Sequence, residues 1–302
     1  MDGNKKVSIV THSSGFHTDD IFAVATLSLF LKNEGKEFAI TRSRDMSIAE
    51  KADYLLDFGG IYDPSLGRFD HHQEGGAGKR ENGIPYASFG LVWKEFGDKL
   101  TGNSKVTALI DQRLVQPIDA YDNGLAFMES KIEGLRSFDV GSITSIFYPT
   151  WKEDITNIDN IFIDLVSYAK FLLNRIITSN SDKVEAEDLV MKNYNDSIDK
   201  RLIVLDNSRY PWEEVFSKIP EVLYVVYQNM TDNTWSIKGT RNDLSKFETR
   251  KKLPESWSGK RDSDLEQISG VPGAVFCHNA RFMAVNKTKE GILKMAEIAL
   301  NS

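Results

Sequence analysis

Along the first third of the chain, short β-branched runs ending on charged residues alternate with longer stretches of helical spacing. In "KKVSIVTH", residues 5–12, Val7, Ile9 and Val10 form a strand-like run that ends on His12. "DDIFAVATLSLFLKNEGK", residues 19–36, then reads as a helix, opened by two acidic residues that suit the helix dipole and closed near Gly35. "EFAITRSR" (37–44) and "ADYLLDFGG" (52–60) read as further strands, the latter carrying Asp57 before a Gly-Gly break. "RFDHHQ" (68–73) lies in or just after the next extended segment, and residues 86–100 and 104–124 read as helices. Alternation of this kind predicts an α/β domain with a mostly parallel sheet flanked by helices. In such sheets ligands gather at the carboxyl ends of the strands.

Residues 156–198 are expected to be mainly helical, with a polar break at "TSNSDK". From residue 201 the texture changes to short aromatic and β-branched strands, "RLIVLDN", "VLYVVYQN" and "TWSIKGT", before a last helix in "TKEGILKMAEIAL". The expected organisation is a first domain over residues 1–180, a helical linker over 181–200, and a smaller α+β domain with a mixed sheet over 201–302.

Composition narrows the class. With 41% hydrophobic and 27% charged residues the chain has an ordinary globular make-up. It holds no apolar run of the roughly 18 residues that a membrane span needs, so no membrane partner is expected. The first strand pattern begins too early for a targeting peptide. The single cysteine, Cys277, excludes an internal disulfide or a cysteine-based zinc site. Both features predict a cytoplasmic or nuclear protein. The net charge of −7 argues against broad adhesion to nucleic acid, though not against an enzyme that acts on it. No glycine-rich nucleotide loop is present, so neither ATP nor NAD is expected.

The histidines carry the chemistry. Of five in the chain, four (His12, His17, His71 and His72) fall within the first 72 residues. Each is interleaved with carboxylates: "HSSGFHTDD" adds Asp19 and Asp20, and "DFGGIYDPSLGRFDHH" adds Asp57, Asp63 and Asp70. Singly, these residues have plainer readings. Asp19 or Asp20 suits a helix N-cap, and Asp63 before proline suits a turn. Together, at predicted strand ends, they point to one metal site. Mixed imidazole and carboxylate donors suit Mn²⁺, Zn²⁺ or Fe²⁺, and a carboxylate-rich set suits Mg²⁺ or Mn²⁺. The donors are numerous enough for two ions sharing a carboxylate.

The phrases "THSSGFHTDD", "GGIYDPSLGRFDHHQ", "YASFGLVWKEFG", "IDAYDNG", "ESWSGKRDSDLEQISGVPGAVFCH" and "NKTKEGILKMA" occur in the same order in a known family. Nearly the whole chain resembles the melanocyte-proliferating-gene (Myg-type) family of DHH-like exonucleases, within the DHH phosphoesterase superfamily. The resemblance implies a DHH-type catalytic domain and two divalent ions, Mn²⁺ or Mg²⁺. It also implies a 3′→5′ exonuclease acting on single-stranded RNA, with DNA as an alternative. By the same resemblance His12, His17 and Asp19 form the first metal motif, although the interval between His12 and His17 is one residue longer than in the superfamily's pyrophosphatases. Asp57 is the bridging carboxylate, and His71 is a metal ligand oriented by Asp70. The last ligand falls in "IDAYDNG", either Asp119, which follows an apolar residue as the family's ligand does, or Asp122. His72 is expected to face the substrate, because neighbouring side chains of an extended segment point to opposite sides.

The second domain resembles the family's substrate-binding domain. The resemblance assigns phosphate or terminal-nucleotide contacts to His278 and to Lys287 and Lys289; Arg281, standing where the family commonly has a smaller residue, is expected to compensate as a phosphate donor. Where the family has a Gly-Gly pair this chain has Ala284 and Val285, whose side chains restrict close backbone approach to a phosphate. The basic residues Arg241, Arg250, Lys251, Lys252 and Arg261 suit either a nucleic-acid track or a solvated face, and Trp235 and Trp257 suit either base stacking or the core. The competing activities are another DHH phosphoesterase reaction, on oligonucleotides, cyclic dinucleotides or pyrophosphate. Different in class is a catalytically weak protein that keeps the metal site and binds RNA or a partner. The sequence does not set the oligomeric state.

Overall fold

Strand β1 (Val7–Thr11) lies between β2 (Phe38–Arg42) and β3 (Tyr54–Leu56) and runs parallel to both. β4 (Tyr62–Asp63) and β5 (Arg68–Phe69) complete a sheet of order β2-β1-β3-β5-β4, in which only the short edge strand β4 is antiparallel. These relations come from a computed structural model of the protein, which describes residues 5–125, 131–135 and 137–302. The chain divides into two compact units, Met1–Ser181 and Asp182–Ser302. The first four residues, on which the reading of the chain's start partly rests, lie outside the described residues.

In the first unit, β1 leads into helix α1 (Thr18–Asn33), which is buried along nearly its whole length. Its sequence is apolar on all sides, and a helix of that kind belongs inside a core. After the single turn α2 (Met46–Ala49), helix α3 (Ser88–Thr101) packs on α1. Their rings meet as Phe22 with Phe89 and Phe30 with Phe96, and the fully buried rings of Phe22 and Phe89 each contribute about 1.5–3 kcal/mol over exposure. Helix α4 (Ser104–Ile110) passes through a π-helical turn at Asp111–Val115 into α5 (Gln116–Asp122), and α6 (Val140–Ile146) begins on the capping carboxylate of Asp139.

Helix α7 (Ile158–Asp196) is continuous through "TSNSDK", where the sequence suggested a break. The segment contains neither Gly nor Pro, and the Asn180 side chain donates back to the carbonyl of Ile176 inside the helix.

The second unit holds β6 (Leu202–Leu205), α8 (Trp212–Phe216), β7 (Tyr224–Gln228), β8 (Trp235–Gly239), α9 (Asp262–Ser269), β9 (Ala274–Cys277), β10 (Met283–Asn286) and α10 (Lys289–Asn301). Its sheet runs β6-β7-β8-β10-β9, with β6 parallel to β7 and every other pair antiparallel. Tyr224, Ile237, Trp257, Ala284 and Met295 form its core. The architecture is thus α/β with two mixed sheets flanked by helices. Among the described residues, no helix is long and apolar enough to cross a membrane.

Candidate metal centre

Three adjacent parallel strands deliver the site. β1 ends at Thr11 and is followed by His12, β3 ends at Leu56 and is followed by Asp57, and β5 ends at Phe69 and is followed by Asp70, His71 and His72. Gly67 sets the turn before β5: its φ is +67°, and a Cβ there would lie 2.3 Å from the carbonyl oxygen of Asp53. Asp57 itself has φ 53°, a left-handed conformation costing a non-glycine residue about 1–3 kcal/mol. Its N–H is held by the Phe69 carbonyl at 3.0 Å and by Ser88 Oγ at 2.9 Å.

Around Asp57 the donors converge. Asp57 Oδ2 lies 3.2 Å from His12 Nε2, and Asp57 Oδ1 lies 3.3 Å from His71 Nε2. His71 Nε2 is also 3.2 Å from Asp122 Oδ2, whose other oxygen is 4.0 Å from His17 Nδ1. Among the described residues, three overlapping groups offer ligand atoms close enough together for a metal: His12, His17 and Asp57; Asp57, His71 and His72; and Asp19, His71 and Asp122. Asp57 and His71 each belong to two of them. Asp19 is further anchored by the N–H groups of Ser88 (3.1 Å) and Phe89 (2.7 Å) at the start of α3.

The two carboxylates of "IDAYDNG" part company. Asp119, preferred on sequence grounds, is fully buried, accepts from Arg80 Nη1 at 2.7 Å and from the Gly90 N–H at 3.0 Å, and belongs to none of the three groups. A Cβ on Gly90 would sit 1.9 Å from Asp119 Oδ2, so only glycine admits this approach. Asp122, nearly a full turn further along α5, is the one that reaches His71 and His17.

The two adjacent histidines do not point to opposite sides. β5 has ended before them, and their ring centroids are 4.3 Å apart. Burial separates them instead: the His71 side chain is 8% exposed and that of His72 61%. Asp70 serves both. Its Oδ1 accepts the His71 N–H at 2.8 Å and lies 2.7 Å from His72 Nδ1, while Oδ2 accepts the Gly60 N–H at 2.5 Å. The ring it orients is that of His72 and not, as the resemblance implied, that of His71.

Electrostatics follow from these contacts. Burial opposes protonation of His12, but Asp20 and Asp57 override it and push its pKa up to about 10. His71 behaves alike: against burial, Asp122 and Asp57 raise it to about 11. Burial would raise Asp57, yet His12 and His71 bring it down to about 2. Asp19 and Asp20 are both raised, chiefly by burial. Asp119 is pushed to about 7 by burial, with Arg80 acting against the shift. Asp20 Oδ2, Asp57 Oδ1 and His71 Nε2 are buried without a hydrogen bond. Buried carboxylates and lone pairs left in this state are expensive. An oxygen-rich set with imidazole nitrogen is compatible with divalent cations, so the residues fit such ions.

Asp20, read in the sequence both as a possible cap and with Asp19 among the interleaved carboxylates, lies 3.1 Å from His12 Nε2 and accepts the His17 N–H at 2.9 Å. Two residues of this centre carried no readable sign. Arg80 joins Asp111 and Asp119 from a loop whose sequence gives no periodic signal. Ser88 holds Asp57 and donates to the Phe69 carbonyl.

In the second unit, His278 and Arg281 flank the β9–β10 turn. His278 Nδ1 accepts the Ala280 N–H at 3.0 Å, and Arg281 adopts φ 60°. Lys287 and Lys289 are exposed beside Thr288, the N-cap of α10, and Lys289 Nζ lies 5.2 Å from the centroid of the Trp235 ring. Ala284 and Val285 lie inside β10, with Ala284 fully buried in the core. Of the basic stretch, Arg241 pairs with Glu213 at 2.8 Å and Arg250 donates to the carbonyls of Phe216, Ser217, Ile219 and Val222. Lys251 donates to the Leu300 carbonyl, and Trp257 is buried in the core.

Fold and site together define an α/β protein with a buried histidine–aspartate centre compatible with divalent metal ions. The family model MYG1_exonuc, described as Uncharacterised protein family (UPF0160), matches residues 8–300, and the chain belongs to that family. It is similar to the MYG1 protein C27H6.8 of Caenorhabditis elegans, 31% identical over 97% of this chain and 94% of that protein. The MYG1 protein of Dictyostelium discoideum is 31% identical over 98% and 97%, and the MYG1 exonuclease of Homo sapiens 28% identical over 97% and 85%.

Proposed function

We propose that the chain is a metal-dependent phosphodiesterase, a 3′→5′ exonuclease on single-stranded RNA with DNA as the alternative substrate. The observation that carries the reading is the buried Asp57 carboxylate, whose two oxygens face His12 and His71 while Oδ1 makes no hydrogen bond. The relatives named MYG1 exonuclease support the choice of reaction. His12, His17 and Asp57 would hold one ion and Asp19, Asp57, His71 and Asp122 a second, Mn²⁺ or Mg²⁺. Divalent ions there supply Lewis-acid chemistry, acidifying a water molecule and offsetting phosphate charge.

The chain's own residues do the rest. Asp70 fixes the exposed His72 ring through Nδ1 and raises its pKa, favouring the protonated form, which leaves Nε2 to donate to the departing oxygen. As water adds to phosphorus and the P–O3′ bond breaks, that proton goes to the leaving 3′ oxygen of the shortened strand. Ser88, the first residue of α3, and Phe89 hold Asp57 and Asp19 in place. The second unit, through His278, Arg281, Lys287 and Lys289, serves as the substrate-binding domain in this reading.

The test uses end-labelled RNA, end-labelled DNA and pyrophosphate, each with Mn²⁺, Mg²⁺ or EDTA, beside Asp57→Ala. A 3′ ladder on RNA that EDTA and the substitution both remove supports the reading. Hydrolysis of pyrophosphate alone assigns a different phosphoesterase, and no turnover with metal still bound leaves a binding protein.

A further inference from the structure

A cavity of about 350 Å³ opens directly beside the cluster. His17, Asp19 and Asp122 belong both to its lining and to the groups of candidate metal ligands. The rest of its wall is mostly apolar, with Phe16, Leu114, Pro117, Ile118 and Val140 among the lining residues. We infer that this cavity seats the base of the terminal nucleotide while that nucleotide's phosphate lies at the metal centre. The inference rests on the phosphodiesterase reading above and names a substrate subsite for it.

Three observations support it. The volume is at the low end of ligand-sized pockets, the scale of one nucleoside. Its apolar wall has no use for pyrophosphate or free phosphate, neither of which has apolar surface to bury. Of its polar groups, Thr18 Oγ1 and Thr144 Oγ1 are 2.6 Å apart, and Asp139 Oδ1 accepts the N–H of Ser142, which is not part of the lining, at 2.9 Å. Among the described residues, Arg113 is the one Arg or Lys side chain in the lining. The mostly apolar wall makes stacking and burial the main mode of recognition. The Tyr121 ring, 71% exposed beside Asp122, lines the cavity and supplies a stacking face.

The experiment is calorimetric titration of the full chain, supplied with Mn²⁺, with adenosine 5′-monophosphate, ribose 5-phosphate and inorganic phosphate. Wild type is expected to bind the nucleotide at least about tenfold more tightly than ribose 5-phosphate, and Tyr121→Ala to lose roughly tenfold in nucleotide affinity. Ser145→Trp, which fills the cavity from an exposed position, should abolish the nucleotide's advantage and leave ribose 5-phosphate binding unchanged. Equal binding of the two by wild type, or an advantage that survives Ser145→Trp, overturns the inference while leaving the phosphodiesterase reading intact. If none of the three probes binds in the presence of Mn²⁺, the phosphodiesterase reading fails and the subsite fails with it.

Discussion

Each unit is organised around a five-stranded mixed sheet, yet the two treat their polar residues in opposite ways. At the strand ends of the first sheet and the first turn of α1, His12, Asp19, Asp20 and Asp57 are buried, and Asp20 Oδ2, Asp57 Oδ1 and His71 Nε2 lack hydrogen bonds. In the second, the charged residues singled out by sequence are exposed or spent on internal partners, as Arg250 is on four carbonyls. Burying charge is costly even when imidazole and carboxylate pair, as His12 and His71 do here, so such a cluster marks a place where something other than folding requires it. The contrast is what the proposed reading rests on when it places the chemistry at the first sheet and gives the second unit a binding role.

The largest effect expected is that of Asp57→Ala, which should lower turnover at least about 10³-fold, the scale of removing one member of a catalytic constellation. A loss of less than tenfold in steady-state assays would erase the contrast between the sheets. His72→Ala should retain metal and lose about 10²-fold in kcat, whereas His71→Ala should lose metal. Equal metal loss in both would remove the division that burial draws between them. Asp119→Ala leaves the buried Arg80 short of one partner and should cost about 3 kcal/mol in thermal unfolding. Asp122→Ala should instead spare stability and weaken metal binding at least about tenfold.

How far the centre was legible is clearest in that pair. Strand ends and their His and Asp residues could be read because hydrophobic periodicity locates where a strand stops, and His12, Asp57 and His71 do follow β1, β3 and β5. Asp119 and Asp122 sit on one short helix, and periodicity does not say which carboxylate meets an arginine from a distant loop. The same limit hid Arg80. The adjacent histidines were misread because alternation holds only within a strand, and β5 is just two residues long. "TSNSDK" was misread because polar residues without Gly or Pro do not end a helix.

Protons give a subtler test. Folding raises His12 to about 10 and His71 to about 11, above the usual 6.5. In the metal-free protein this stabilisation is complete below 6.5 and is lost as pH rises through those values. Metal must displace the same protons, so Mn²⁺ affinity should climb about tenfold per pH unit for each proton released. Titrations in buffers of differing ionisation enthalpy between pH 6 and 8 count them, and a flat profile would show that neither imidazole is a ligand. The smallest effect is on the other sheet: Ala284→Gly, within β10, should cost only about 0.5–1 kcal/mol in unfolding. Improved substrate affinity in that variant would move part of the chemistry to the second unit.

The most direct measurement is a calorimetric titration of metal-free protein with Mn²⁺, for wild type and Asp57→Ala side by side. The account predicts two ions per wild-type chain and the loss of both tight sites when the shared carboxylate is removed. Unchanged stoichiometry and affinity in Asp57→Ala would contradict it.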